Sequence, residues 1–357
     1  MKKTKELLSF SGLGDRMKAL GFGIVGGGVI GPFHAKALGN VKGAKLVAVC
    51  DAIDAVAKKF GADFGVPAYN DVQEMLKRDD LDVLDVCTPS GLHAKLGILG
   101  AEAGKHVLVE KPIDITLERA DALISACEKA GVKLGVIFQH RFDAATRKLK
   151  EAVDQGRFGR LILGDAYVKW YRTQEYYDKG GWRGTWKYDG GGSLINQSIH
   201  TIDLQRYIMG DPAWLFGRIG VMTHKIETED LGLAIIEFKS GARGVIEGST
   251  SIYPGLPERL EIHGEKGTAI IEGGKMVKWA VQGEEERAEE KAKLSAAAEA
   301  SAITADSHAL QMQDFVDAIQ QDRKPLVDGH EGRKALEVVV AVYRSSKTGK
   351  VVRFPIR

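Results

Sequence analysis

Cysteine is scarce in this chain, and so is any local bias that would mark an unusual protein class. Cys50, Cys87 and Cys127 are odd in number, each lies in an apolar stretch, and none has a second cysteine at C-x-x-C spacing. They read as buried thiols in a reducing compartment, and no metal set is expected. Long apolar runs are also missing: nowhere do eighteen apolar residues follow one another, so no segment is expected to span a membrane. Lys2, Lys3 and Lys5 are followed only by Leu7, Leu8 and Phe10 before Asp15 and Arg16 intervene. That is too short for a signal peptide, and a cytoplasmic location is expected. Charge of one sign is absent as well. Fifty basic residues face 48 acidic ones, a net charge of +2 spread evenly. No positive stripe is left to hold a phosphate backbone, which argues against nucleic acid as a partner.

What is present is enough apolar material for sizeable cores. The chain has 357 residues, 44% of them hydrophobic and 27% charged. It exceeds the roughly 250 to 300 residues at which one core stops growing, so two domains are expected. After an extension over residues 1–19, short apolar runs alternate with amphipathic windows as in βαβ units. Strands are expected at Leu20 to Val25, Lys45 to Cys50, Val83 to Cys87, His106 to Val109 and Lys133 to Phe138. Helices are expected at Ala52 to Phe60, Asp71 to Arg78, Leu92 to Ala103 and Leu117 to Ala130, the last two stopped by Gly104 and Gly131. Residues 20–140 therefore read as a doubly wound parallel sheet.

From about Leu161 strands follow one another without helices between: Ala213 to Val221, Leu231 to Phe238, Gly244 to Ser251, Arg259 to His263, Thr268 to Ile271 and Met276 to Val281. This is the texture of an antiparallel sheet in an α+β domain over residues 141–330. Residues 331–357 read as a helix and tail packing back on the first domain. The charged, alanine-rich stretch Glu284 to Ala302 reads as a solvated excursion.

Gly26-Gly27-Gly28-Val29-Ile30-Gly31 fits G-x-G-x-x-G between a strand and a helix, where backbone N–H groups can approach a pyrophosphate. Asp51 stands twenty residues past Gly31, after the second strand, placed to accept from a ribose diol. A carboxylate there repels a 2′-phosphate, so NAD is favoured over NADP. Thr88-Pro89-Ser90 and Glu110-Lys111-Pro112 end later strands on the same sheet edge. Beside a nicotinamide that becomes cationic, Lys111 would have a depressed pKa and could exchange a proton with a hydroxyl. Further on, Gly190-Gly191-Gly192 opens an expected helix on which Asn196, His200 and Asp203 share one stripe. His200 can orient or deprotonate a hydroxyl there, or be a core histidine bonded to Asp203. Eight aromatic residues between Tyr167 and Tyr188, including Trp170, Trp182 and Trp186, are interleaved with Arg172 and Arg183. They suit either a platform for a sugar ring or packing at an interface.

Taken together these motifs resemble the glucose-fructose oxidoreductase, inositol 2-dehydrogenase and MocA family, and the resemblance extends to His308, Gln311, Asp314, Phe315, Pro325, Asp328, Glu331 and Tyr343. It implies an α/β protein: an N-terminal Rossmann domain plus a C-terminal α+β domain with a large open antiparallel sheet. It also implies NAD as cofactor and a homodimer or homotetramer formed through the open sheet. The expected activity is oxidation of a secondary hydroxyl of a sugar, sugar derivative or nucleotide sugar. Lys111 and His200 would share the acid-base work and Asn196 would contact substrate at a place where many members have Asp. The cofactor contacts expected are Gly26, Gly28, Val29, Ile30, Gly31, Asp51, Thr88, Pro89, His93, Glu110, Lys111, Gln139 and Arg141. The substrate contacts expected are Lys111, Arg141, Trp170, Arg172, Trp182, Arg183, Asn196 and His200. Two other outcomes occur in the same fold: a glycosidase using transient NAD-dependent oxidation, and a non-catalytic sugar or NAD(P) sensor. The presence of both Lys111 and His200 argues against the sensor.

Overall fold

Strands that are apolar on both faces need helices on both faces, and the first half of the chain is built so. In the computed structural model, which describes residues 18–284 and 305–356, six strands form a sheet of parallel pairs. They are β1 (Leu20–Val25), β2 (Ala44–Cys50), β3 (Ala68–Tyr69), β4 (Val83–Val86), β5 (His106–Val109) and β6 (Leu134–Val136). Their order, β3-β2-β1-β4-β5-β6, reverses between β1 and β4. At that reversal the connections leave to opposite faces and a crevice opens at the carboxyl edge. Helices α1 (Ile30–Leu38), α2 (Asp54–Phe64), α3 (Val72–Leu76), α4 (His93–Glu102) and α5 (Leu117–Ala130) connect the strands. The last is started by Thr116, whose hydroxyl accepts from the Arg119 N–H, and stopped by Gly131 in the left-handed conformation.

The second half holds α6 (Ala144–Asp154), β7 (Leu161–Lys169), α7 (Gln174–Asp178), a π-helical turn over Ser193–Ser198, and α8 (Ile199–Met209). After these come β8 (Pro212–Gly220), β9 (Leu231–Phe238), β10 (Arg243–Ser249), β11 (Arg259–Gly264), β12 (Gly267–Glu272) and β13 (Lys275–Val281). The chain ends with α9 (Ala305–Gln320), α10 (Gly329–Thr348) and β14 (Val352–Arg353). The eight-stranded sheet runs β13-β12-β11-β7-β10-β9-β8-β14. Its pairs are antiparallel except β7 with β10, which are parallel. The antiparallel expectation is corrected there: α8 is a crossover that returns the chain in the direction of β7, and the β8-β9-β10 meander then brings β10 beside it. Strand β9 alternates strictly, with Ala234, Ile236 and Phe238 buried while Leu233 and Ile235 are 43% and 53% exposed on the other face.

The carboxyl-terminal segments are shared between the two sheets. Met312, Phe315 and Val316 of α9 pack with Phe22, Val83 and Leu108 of the parallel sheet, so α9 belongs with the first domain although it precedes residue 330. Helix α10 lies against both α5 and β8, while β14 extends the second sheet beside β8. Most of the stretch expected as a solvated excursion, and residues 1–17 of the extension, lie outside the described residues. Among the described residues no helix is long and apolar enough to cross a membrane.

Candidate active site

The glycine loop follows β1 because no other residue fits its closest approaches. Gly26 has φ +109°, and a Cβ on Gly31 would stand 1.9 Å from the Gly26 carbonyl oxygen. The first turn of α1 has no side-chain cap, and nothing lies within 4 Å of where a Cβ on Gly28 would be. Val29, 78% exposed, borders the same opening, at the start of the helix that Ile30 begins. Unclaimed N–H groups beneath open space are what an anionic pyrophosphate needs. Asp51 is pinned at the end of β2, its two carboxylate oxygens accepting from the N–H groups of Gly27 (2.8 Å) and Ile53 (2.9 Å). Each oxygen keeps a lone pair for a ribose hydroxyl. Beyond β4 the buried Thr88 hydroxyl has no protein partner. These residues fit a dinucleotide.

His93, expected among the cofactor contacts, instead braces the loops. Its Nδ1 lies 2.7 Å from the Pro112 carbonyl and its Nε2 2.9 Å from that of Thr88. It thereby ties the Thr88-Pro89 segment to the cis Lys111–Pro112 segment. Glu110 is likewise turned inward. Its Oε1 meets His34 Nε2 at 2.9 Å, and His34 Nδ1 meets Asp85 at 2.9 Å. Burial would raise the Glu110 carboxyl, but the hydrogen bond and charge of His34 hold it at about 2. Its other oxygen accepts from the Lys111 N–H at 3.0 Å.

Lys111 donates its Nζ to the Asn196 carbonyl at 2.8 Å. Burial lowers its pKa against the opposing charges of Glu110 and Asp189, and Arg183 lowers it further. His200 stands edge-on to Phe138 and His140, and its buried Nδ1 has no partner. Burial, then Lys111 and His140, push it well below its ordinary pKa, so the imidazole is neutral at neutral pH. A lysine whose pKa is lowered by burial and a neutral imidazole, both desolvated, can exchange a proton with a hydroxyl.

The stripe expected for Asn196, His200 and Asp203 is broken. The π-helical winding over Ser193–Ser198 changes the phase between Asn196 and α8. Asp203 faces Arg141, receiving its Nε at 2.7 Å and an NH2 nitrogen at 2.6 Å. Arg141 also donates to Glu331 at 3.0 Å and its side chain is 0% exposed. Its polar atoms are thus spent on structure, which corrects its expected place among cofactor and substrate contacts. The alternative of His200 bonded to Asp203 is removed by the same pairing. Gln139 is buried beside His140 with its Oε1 unpartnered.

The triple glycine does not leave backbone open to a ligand. A Cβ on Gly191 would lie 2.0 Å from the Tyr343 hydroxyl, and one on Gly192 would lie 1.9 Å from the Glu229 carbonyl. Close packing requires these glycines. Glu229 accepts from the N–H groups of Gly192 and Leu194 and from Tyr343, with burial pushing its carboxyl up to about 7. In the aromatic segment Arg172 lies over the rings of Trp170 and Tyr176 and donates to Gln197 at 3.0 Å. Arg183 lies over Tyr176 and Trp182. Gln197 joins this stack to Asn196, donating to its Oδ1 at 2.8 Å. Trp186, 43% exposed, turns to Tyr343 and Glu227 instead.

Glu229, His34 and Asp189 form the surroundings of the site without having been singled out in the sequence, and Tyr343 was named there only as part of the family resemblance. Asp189 carried the one available signal, a carboxylate directly before three glycines.

The chain is similar to known proteins over both of its domains. Residues 20–138 match the family model described as "Oxidoreductase family, NAD-binding Rossmann fold", and residues 150–354 match "Oxidoreductase family, C-terminal alpha/beta domain". Myo-inositol 2-dehydrogenase of Thermotoga maritima is 29% identical over 93% of this chain and 97% of its own length. D-glucoside 3-dehydrogenase of Escherichia coli is 28% identical over 91% and 95%. The WlbA dehydrogenase of Bordetella pertussis, solved with NADH and UDP-GlcNAcA, superposes with a TM-score of 0.86 at 32% identity over 95% of this chain and 100% of that one. With both of its domains matched, the chain belongs to the GFO/IDH/MocA oxidoreductase family and carries that family's NAD-binding Rossmann domain.

Proposed function

We propose that this protein is an NAD-dependent dehydrogenase that oxidises a secondary hydroxyl of a sugar, sugar derivative or nucleotide sugar. The observation that carries the reading is the desolvated Lys111 Nζ, anchored on the Asn196 carbonyl and near enough for its charge to act on neutral His200. Bound NAD supplies the hydride acceptor. Lys111 takes the hydroxyl proton and His200 orients the hydroxyl through a hydrogen bond. The stack of Arg172, Arg183, Trp170 and Trp182 lies next to Asn196 through Gln197 and suits the C–H face and hydroxyls of a pyranose. Relatives named for inositol and a glucoside, and one solved with UDP-GlcNAcA, support the class. The uncovered face with Leu233 and Ile235 suits homo-oligomer contact.

A thermal-shift screen of sugars, sugar acids, inositols and nucleotide sugars with NAD present identifies the ligand, because selective binding raises stability by mass action. The ligand found should then give a steady rise in absorbance at 340 nm. Hydrolysis of a glycoside with no accumulation of NADH would instead establish the glycosidase.

Asp51 sets the cofactor preference in this reading. NAD should bind more tightly than NADP, since the pinned carboxylate repels a 2′-phosphate, and Asp51→Ser should narrow the gap. Titration of both cofactors decides it, and tighter binding of NADP to the unaltered protein would sink the assignment.

A further inference from the structure

Asp189 joins the aromatic segment to the triple glycine and is 1% exposed. Its two oxygens each receive one hydrogen bond, Oδ1 from Asn196 Nδ2 and Oδ2 from the Gly184 N–H at 2.9 Å. A carboxylate held so far from water needs compensating charge as well as hydrogen bonds. The charged groups facing it are Lys111 and Arg183, and the phenols of Tyr177 and Tyr343 are the other titratable groups whose surroundings include it. Burial pushes its carboxyl up to about 6, restrained by the Asn196 and Gly184 bonds and by the two cations, so it is largely ionised at neutral pH.

Asn196 stands between the two groups. Its carbonyl receives Lys111 Nζ and its side-chain amide donates to Asp189. An amide carries no charge, so Asn196 itself cannot balance an ammonium. Glu110, the other anion near Lys111, is already committed to His34.

We propose that Asp189 is a positioning residue for Lys111, the buried counter-charge for the proton that Lys111 takes from the substrate hydroxyl, acting across Asn196. The inference rests on the reading of Lys111 as the base. In oxidation the O–H bond breaks and an N–H bond forms at Nζ. The hydride leaves the same carbon with its electron pair for NAD, and Asp189 neither gains nor loses a proton. An ionised Asp189 raises the basicity of Lys111 and stabilises the ammonium as it forms, while Arg183 opposes it. Removing that negative charge therefore makes Lys111 a weaker base.

The test is Asp189→Asn, with Asp189→Ser as a smaller alternative that still accepts from the Gly184 N–H. In the oxidation direction kcat should fall about tenfold and the acid limb of its pH profile should move to lower pH. The double variant Asp189→Asn/Asn196→Asp moves the carboxylate across the same hydrogen bond and should return the limb towards its original position. A second readout needs no substrate: acetylation of Lys111 by acetic anhydride, followed by mass spectrometry across pH, should show its midpoint moving down in the single variants. A purely structural role for Asp189 would lower stability or kcat and leave the limb and the labelling midpoint in place. An unmoved or raised midpoint in a variant that retains its melting temperature overturns the inference. Failure to oxidise any sugar, alongside a lowered midpoint, would count against the functional reading and leave the coupling of the two residues intact.

Discussion

Lys111→Ala should lower turnover about a hundredfold to ten-thousandfold, the range that a general acid-base group contributes, while NAD affinity stays within about threefold. The two readouts separate because of where the atoms lie. The nitrogen is bonded to Asn196, on the substrate-domain side of the crevice, and the dinucleotide loop at Gly26 to Gly31 makes none of its contacts through Lys111. Removal takes away a desolvated amine and leaves buried Asp189 facing Arg183, with its bonds from Asn196 and the Gly184 N–H intact. Glu110 keeps its bond to His34, so the floor of the pocket survives. His200→Ala should reduce kcat on the same scale, because the neutral ring is the second group able to hold the hydroxyl. Steady-state kinetics on the substrate found by screening, with cofactor titration beside it, checks both. A Lys111→Ala enzyme with undiminished kcat would remove that residue from the mechanism. Equal loss of NAD binding would mark it as part of the cofactor cradle.

The first domain was legible because its signals are local. Leu20–Val25, His106–Val109 and Leu117–Ala130 coincide with the expected elements, each bounded by a glycine, a cap or a change of period. The dinucleotide loop is equally local, since the constraint on Gly31 comes from Gly26 five residues away. Strand β7 was not among the named strands because Gly164 and Asp165 interrupt its apolar alternation. Both have tertiary reasons that no window reveals. A Cβ on Gly164 would meet the Met209 sulfur at 2.6 Å, and Asp165 accepts the Val245 N–H at 2.9 Å.

The site divides in the same way. Lys111 and His200 were named from motif position, and the structure bonds Lys111 to Asn196 and sets His200 against Phe138 and His140. The bonds that hold the surrounding residues come from distant segments: His34 reaches Glu110 from 76 residues away and Arg141 reaches Asp203 from 62. The π turn is invisible to a periodicity argument, because one extra residue in a winding of six leaves every residue type unchanged. It changed the angle between Asn196 and His200 from the one that a regular helix would give, while His200 and Asp203 keep α-helical spacing on α8.

That pairing leads to the largest stability effect expected. Arg141 leaves the end of the first domain in the turn Gln139–Phe142, and Asp203 lies on α8, and Glu331 on α10, so one guanidinium joins three segments. The Arg141 and Asp203 side chains are 0% and 1% exposed, and Tyr207 covers the guanidinium at 4.4 Å from its ring centre. Asp203→Ala strands a buried cation with only Glu331 to meet it, and loss of one partner from such a pair costs about 3 to 5 kcal/mol. An exposed pair such as Lys58 with Asp54 sets the contrast, since it is 73% and 58% exposed and Asp54→Ala should change stability by less than about 1 kcal/mol. Urea denaturation of the three proteins measures the difference, and a midpoint for Asp203→Ala matching that of Asp54→Ala would refute the account. Replacing both partners, Arg141→Met with Asp203→Leu, removes the stranded charge and should recover much of the stability. It should not recover turnover to the same degree. His200 lies one turn before Asp203 on α8, and without the clamp that turn keeps only its ring contacts with Phe138 and His140 against the end of the first domain.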